Sequence, residues 1–234
     1  KQSYDPTGEY TVPYMWGTVG IIYNSAVVDE ADVGSWDLLW NEKYAEQILM
    51  FDNSRDAMAI ALLKLGYSIN TTDEAELNEA YELLARQKPL VQAYVMDQIF
   101  NKMESGEAAV APYYAGDYLT MVEGNPDLKF YVPSEGSNQF VDAMCVPKGA
   151  ANKTNAEIFI NWMCSNAVSQ ANAEFVGYTS PNTEVKNTID LDEESMAIMY
   201  PGAEVISRCE YYVNLPQEAL ELYDSLWVKL KAKT

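Results

Sequence analysis

Histidine is absent from the 234-residue chain. Its imidazole supplies the general base of Ser-His-Asp and Cys-His enzymes, the ligands of H-E-x-x-H zinc sites and the usual titration near neutral pH. The chain therefore cannot build any of these sites, and much of ordinary hydrolase chemistry is excluded.

Positive charge is scarce as well. The chain has 15 Lys and Arg against 35 Asp and Glu, for a formal net charge of −20, and its only arginines are Arg55, Arg86 and Arg208. Nucleic acid is a poor candidate partner, because phosphate binding relies on a basic face, and an anionic small molecule is disfavoured too. A field of this sign attracts cations to clefts, although solubility alone would also explain the charge.

Cysteines and long apolar runs are few. Cys145, Cys164 and Cys209 are widely spaced with no C-x-x-C pair, so they form no disulfide framework. Cys145 and Cys164 lie in apolar stretches, and we expect both to be buried as small hydrophobic side chains. No apolar stretch reaches 18 residues and no signal-peptide pattern is present at Lys1. We therefore expect a soluble chain that neither spans nor enters a membrane.

The composition indicates a packed protein, with 48% hydrophobic and 12% aromatic residues, large enough for one domain or two modest lobes. Predicted strands lie at 10–24, 47–51, 91–96, 108–114, 129–132 and 139–147. Predicted helices lie at 36–41, 54–65, 98–104, 154–165, 167–175, 193–199 and 216–231, with one after Gly116 and one that runs to Arg86 from a capping box at 71–74. This alternation predicts an α/β fold with largely parallel sheets.

Functional side chains in such folds lie at the carboxyl ends of strands. Four predicted strand ends carry carboxylates or aromatic rings, and none carries a cluster of cations: 52–56 (DNSRD), 113–117 (YYAGD), 140–142 (FVD) and 209–212 (CEYY). The sequence therefore indicates a cleft suited to a cation rather than to an anion.

Five stretches, in this order and spacing, carry a family resemblance: 12–24 (VPYMWG and IIYN), 35–40 (SWDLLW), 64–73 (KLGYSINTTD), 134–142 (SEG and then Asp142) and 200–204 (YPGAE). Together the stretches resemble the spermidine/putrescine-binding proteins of polyamine ABC transporters. The resemblance runs from about residue 11 to the C-terminal helix, so it covers nearly the whole chain.

The resemblance implies a type II periplasmic-binding-protein fold, in which two α/β lobes joined by crossing strands close on a ligand. Residues 22–139 would form the second lobe, and residues 1–21 and 140–234 the remainder of the first lobe, the hinge strands and the C-terminal helices. Members of the family carry a further N-terminal segment, so we expect an incomplete first lobe. The implied role is that of an extracytoplasmic polyamine-binding component, periplasmic or lipid-anchored, that docks on a membrane permease and needs no cofactor.

The resemblance also implies the residues of the ligand site. Asp142 matches an acidic residue that contacts an amine, and Asp56 matches a second carboxylate. Asn53 lies where the family more often has aspartate, which removes one charge. Two further positions match aromatic residues that are commonly tryptophan, and one matches a polar residue that reaches the ligand; these are Phe140, Tyr114 and Tyr212. The weaker aromatics and the lost carboxylate leave the identity of the polyamine open.

Structural roles are an alternative for each of these residues. Asn53 or Ser54 is a good N-cap, and Asp56 in the first helical turn suits the helix dipole. Tyr114 and Phe140 could be core residues. Asp142, between apolar neighbours, must find a partner, which could be a salt bridge or a hydrogen bond to backbone at the hinge rather than a ligand.

Other functions also stay open. A ferric-ion carrier of the same fold could use the tyrosine pairs 113–114 and 211–212 together with carboxylates. A glycosidase-like enzyme would need Asp56 and Asp142 as its acid and base, but nothing else in the sequence points to sugar chemistry. A purely structural or partner-binding chain is the third alternative. We expect a binding protein and not an enzyme.

Overall fold

A 13-residue strand, β1 (Val12–Asn24), runs through the middle of the fold. Its β-branched and aromatic residues favour extended backbone, and the prediction for 10–24 is confirmed. The structure is a computed structural model that describes residues 5–233. The start of the predicted N-terminal loop, residues 1–4, and residue 234 lie outside the described residues.

Six further strands follow β1 in the described part of the chain: β2 (Ile48–Phe51), β3 (Val91–Val95), β4 (Val110–Tyr114), β5 (Leu128–Tyr131), β6 (Ser137–Met144) and β7 (Cys209–Glu210). The α-helices are α1 (Ser54–Leu65), α2 (Glu74–Gln87), α3 (Ile99–Glu104), α4 (Ala115–Gly124), α5 (Lys153–Met163), α6 (Asn166–Val176), α7 (Thr183–Thr188), α8 (Glu193–Met199), α9 (Ala203–Ser207) and α10 (Gln217–Ala232). Short 3₁₀ turns lie at 30–32, 36–40, 42–44 and 88–90.

The sheet is mixed, and the prediction of largely parallel sheets is wrong. Its strand order is β3-β2-β4-β1-β6-β7, with β5 also paired to β1. The first half of β1 pairs antiparallel with β6, and the second half pairs antiparallel with β4 and β5. Parallel pairs occur only at β2–β3, β2–β4 and β6–β7 among the described strands. The alternation of helices and strands does not reveal the antiparallel pairing of β1, because this strand pairs with segments distant in sequence.

Helix boundaries follow the local sequence closely. Helix α1 begins after the N-cap Asn53 and ends at Gly66, which has a φ of 80°. Helix α2 begins after Asp73, whose side chain caps the first turn, so the predicted capping box at 71–74 is wrong. Thr71 instead donates to Glu76 and accepts from the Asp73 backbone N–H, which places the helix start two residues later.

The main core lies between the sheet and helices α1, α2 and α10. Trp36 is fully buried, and its indole N–H donates to the Gly136 carbonyl at 2.9 Å. Buried residues of α10, including Tyr223 and Leu230, belong to the same core as those of α1 and α2. A small second core unites α6, α7, the segment after α7 and α8. The division of the chain at residues 22 and 139 stays a prediction.

Helices α5 and α6 carry large apolar side chains on the surface. Phe159 and Trp162 are about half exposed, at 54% and 55%, and Phe175 is 91% exposed. Cys145 and Cys164 are exposed as well, so the prediction that they are buried is wrong. Their apolar stretches do form β6 and α5, but within residues 5–233 no element covers the faces that carry the two thiols.

No helix between residues 5 and 233 combines the length and the apolarity that a membrane crossing would need.

Candidate functional site

One open cleft of about 640 Å³ gathers all six predicted site residues. The cleft lies where the N-terminus of α1, the end of β4, strand β6 and the segment after β7 meet. Its lining consists of Asn53, Ser54, Arg55, Asp56, Tyr114, Asn138, Phe140, Asp142, Tyr178 and Tyr212. The structure thus brings the predicted residues together, and their role in binding stays a prediction.

Asp56 is a buried carboxylate at the start of α1, 8% exposed. The Tyr212 hydroxyl donates to its Oδ1 at 2.9 Å, and the Tyr114 hydroxyl approaches its Oδ2 at 3.4 Å, a longer and weaker contact. Burial raises the pKa of Asp56, while these hydroxyls and the nearby Arg55 charge oppose the rise. Asn53 caps the helix by accepting from the Asp56 N–H at 3.1 Å. The expected capping role of Asn53 is therefore confirmed, and the same residue lines the cleft.

Arg55 and Asn70 hold Tyr212 against Asp56. The Arg55 guanidinium lies 4.6 Å from the centre of the Tyr212 ring and 5.2 Å from that of Tyr223, within cation–π distance. The Asn70 side chain donates to the Tyr211 carbonyl at 2.8 Å and accepts from the Val213 N–H at 2.9 Å. Backbone on both sides of Tyr212 is thereby fixed, so its hydroxyl points at the carboxylate.

Three aromatic rings form one wall of the cleft. The Phe140 ring centre lies 5.2 Å from that of Tyr114 and 5.5 Å from that of Tyr178, with both pairs close to edge-to-face. Gly17 on β1 faces Phe140, and a Cβ on this glycine would lie 2.7 Å from the ring. The glycine therefore gives the ring the room to lie flat over the strand. Tyr114 and Phe140 are half-buried, intermediate between core and surface.

Asp142 stands two residues after Phe140 on β6. Side chains at alternate positions of a strand point to the same face, so Asn138, Phe140 and Asp142 all reach the cleft. The side chain of Asp142 has no hydrogen-bond or ion-pair partner within residues 5–233, and the residue is exposed. Its carboxyl lies low enough in the cleft that desolvation raises its pKa. Among the described residues the Asp142 side chain forms neither the salt bridge nor the backbone hydrogen bond of the hinge alternative, and the carboxylate is free to meet a cation.

Four lining residues are missed by the sequence analysis as site residues: Ser54, Arg55, Asn138 and Tyr178. Period-two spacing before Phe140 and Asp142 could have indicated Asn138. No sequence pattern indicates Tyr178 as a site residue. It follows α6, and the pairing of its neighbour Thr179 with Trp16 brings it next to β1.

Asp117 lies behind this wall, in the first turn of α4. The Tyr178 hydroxyl donates to its Oδ2 at 3.0 Å. Burial raises the pKa of Asp117 to about 6, against the lowering effect of that hydrogen bond. Its predicted strand end, 113–117, therefore contributes both a ring to the cleft and a carboxylate one layer behind it.

The tyrosine pairs are not arranged as joint metal ligands. Tyr113 is buried and stacks on Phe51 with ring centres 5.5 Å apart, outside the cleft lining. Burial raises the pKa of both Tyr114 and Tyr212, so their phenolate forms are disfavoured. In the described part of the chain no three Asp, Glu or Cys side chains gather closely enough to hold a metal ion.

Known proteins resemble this chain along most of its length. A family model described as a bacterial extracellular solute-binding protein matches residues 1–201. The spermidine/putrescine-binding periplasmic protein of Salmonella typhimurium is 33% identical over 232 residues, which is 99% of this chain and 66% of that protein. The putrescine-binding periplasmic protein SpuD of Pseudomonas aeruginosa is 27% identical to this chain, and the match again covers 66% of that protein. The chain thus spans slightly less than two thirds of these relatives.

Solved structures share the fold. The spermidine/putrescine ABC transporter substrate-binding protein PotD from Streptococcus pneumoniae matches with a TM-score of 0.87 and 35% identity, over 98% of this chain and 71% of that one. The TpPotD lipoprotein of Treponema pallidum matches with a TM-score of 0.81 and 27% identity, over 97% and 70% of the two chains. The predicted periplasmic-binding-protein fold is confirmed. The chain belongs to the family of bacterial extracellular solute-binding proteins.

Proposed function

We propose that this protein binds a polyamine, spermidine or putrescine, in the cleft between β6, α1 and the aromatic wall. The observation that carries the proposal is the joint placement of Asp56, Asp142 and three aromatic rings around one opening. The net charge of −20 and the names of the relatives, which are spermidine- and putrescine-binding proteins, support the same ligand class.

A polyamine needs two kinds of contact. Each ammonium group needs a carboxylate, because a desolvated cation without a partner is very costly. At 4 Å such a pair is worth up to about 4 kcal/mol at an effective dielectric of 20, before desolvation is subtracted. Asp142 faces one ammonium, and Asp56 with its tyrosine hydroxyls faces another.

The methylene segments need an apolar cover that tolerates charge. Phe140, Tyr114 and Tyr178 supply it, since aromatic faces attract cations by about 0.5–2 kcal/mol while covering hydrocarbon. Among the described residues that line the cleft, Arg55 is the one cation, and two aromatic rings cover its guanidinium. Asp142, which has no basic partner among the described side chains, is therefore the main charged contact that we propose.

We assign no covalent chemistry to the protein, because its relatives are binding proteins rather than enzymes. In the proposed cycle the ligand favours the closed form of two lobes, 22–139 and the remainder, and the closed form docks on the permease of an ABC importer. The relatives named above are periplasmic, so the proposed location is outside the cytoplasm.

Calorimetric titration of the full encoded protein with spermidine, putrescine and ferric citrate tests the proposal. We expect saturable heat with at least one of the amines and a colourless protein. No heat with any amine from a normally folded protein would contradict polyamine binding. Visible colour on addition of iron, from phenolate-to-metal charge transfer, would favour the ferric-ion alternative instead.

A further inference from the structure

Asp117 joins two segments of the chain through Tyr178, which lies 61 residues away in sequence. It follows β4 in the first turn of α4, whereas Tyr178 follows α6. The 3.0 Å hydrogen bond from the Tyr178 hydroxyl to Asp117 Oδ2 links them. Because Tyr178 lines the cleft and Asp117 does not, this carboxylate reaches the cleft only through the tyrosine.

The backbone next to Asp117 is shaped to receive the Tyr178 ring. A Cβ on Gly116 would lie 2.0 Å from the ring and 2.8 Å from the Gly177 carbonyl oxygen. Gly177 itself has a φ of 78°, and a Cβ there would lie 3.0 Å from the Gly116 carbonyl oxygen. The ring is thus held between Gly116 on one side and Phe140 on the other, with its hydroxyl fixed by Asp117.

The side chains around Asp117 are negatively charged or neutral. The titratable groups near it are the hydroxyl of Tyr178, the carboxylate of Asp97 and the phenols of Tyr113 and Tyr114. No lysine or arginine in residues 5–233 forms an ion pair with it. A carboxylate with no basic partner among the described side chains is available to stabilise a cation beyond the aromatic wall.

We propose that Asp117 is a positioning residue of the cleft, which fixes the Tyr178 ring against Phe140 and places a second layer of negative charge behind it. The inference rests on the proposed function, since it assigns this charge to the cationic ligand. Asp117 acts through Tyr178 and does not itself touch the polyamine.

Matched variants separate the two effects of Asp117. Asp117→Asn keeps an oxygen that accepts from Tyr178 but removes the charge, and Asp117→Ala removes both. Asp127→Asn removes the same charge from an exposed turn outside the cleft lining, so it is the control. In calorimetric titrations with spermidine at neutral pH, we expect Asp117→Asn to weaken binding about three- to tenfold and Asp117→Ala more, with Asp127→Asn within about twofold of wild type.

The Tyr178→Phe background tests whether Asp117 acts through the hydroxyl. There the positioning effect is already lost, so we expect Asp117→Asn and Asp117→Ala to weaken binding equally. Titrations at a series of pH values provide a second test, because a purely structural role of Asp117 would not make the spermidine affinity depend on its protonation. Asp117 takes up a proton as the pH falls through about 6, so the affinity of the wild type for spermidine should drop there. Asp117→Asn should lack this step, while Asp56 and Asp142 act alike in both proteins.

Equal affinity of Asp117→Asn, Asp117→Ala and Asp127→Asn for spermidine across the pH series would overturn the inference while leaving polyamine binding intact. If the wild type binds no amine, the proposed function fails, and a crystal structure of Asp117→Ala then decides the positioning role. Displacement of the Tyr178 ring from Phe140 in that structure would support positioning, and an unmoved ring would overturn it.

Discussion

Replacement of Asp142 by asparagine is expected to weaken spermidine binding about tenfold or more, a loss of about 1.4 kcal/mol or more. The carboxylate faces the cleft without a hydrogen-bond or ion-pair partner in the described structure, so its charge is left for a ligand. An ammonium that loses this partner on binding pays its desolvation without compensation. Isothermal titration of the variant with spermidine measures the effect.

Unfolding by urea provides the second readout for this variant. Because Asp142 has no partner in residues 5–233, we expect the free energy of unfolding to change by less than about 0.5 kcal/mol. Asp127→Asn, an exposed turn residue, removes the same charge away from the cleft and should leave the affinity unchanged. Unaltered affinity of Asp142→Asn together with lowered stability would assign Asp142 to the hinge instead.

Gly116→Ala is expected to disrupt both the fold near the cleft and ligand binding. The added Cβ would lie 2.0 Å from the Tyr178 ring and 2.8 Å from a backbone oxygen, and the ring cannot move without leaving Phe140 and Asp117. Overpacking of this kind costs about 1–3 kcal/mol, and we expect the upper part of that range in the free energy of unfolding. Spermidine affinity should fall about tenfold or more, because the aromatic wall loses a ring.

The sign of the stability change makes this variant informative. In an open helical position alanine stabilises relative to glycine by up to about 1 kcal/mol, so a stabilised Gly116→Ala protein would show that Tyr178 does not pack there. Gly202→Ala is the matched control, because nothing lies within 4 Å of its Cβ position and its φ is −62°. We expect the control to unfold and to bind spermidine like the wild type.

More of the candidate site than of the sheet could be predicted from the sequence. Asp56, Phe140 and Asp142 could be predicted as site residues because carboxylates and aromatic rings lie at predicted strand ends and because the family resemblance covers nearly the whole chain. The local sequence determines where strands end, and therefore where these residues lie. Tyr178 and Asp117 could not be paired from the sequence, because their contact depends on two glycines in close approach across 61 residues. Side-chain contacts of this range carry no local signal.

The sheet shows the same limit of local information. The alternation of helices and strands predicted each long element, but it could not show that β1 runs antiparallel to three other strands. Burial of Cys164 was predicted from an apolar stretch, yet apolar periodicity only identifies a face and does not show what covers it. Thr71 and Asp73 are both suitable caps for α2; Asp73 caps the helix, and Thr71 bonds to the Glu76 side chain and the Asp73 N–H instead.

A crystal structure of the full encoded protein with spermidine tests the central claim most directly. The account predicts an extended ligand in the cleft, with one ammonium nitrogen at Asp142, another near Asp56, and methylene groups against Phe140 and Tyr114. Spermidine bound outside this cleft, or bound within it with neither carboxylate in contact with a nitrogen, would contradict the account.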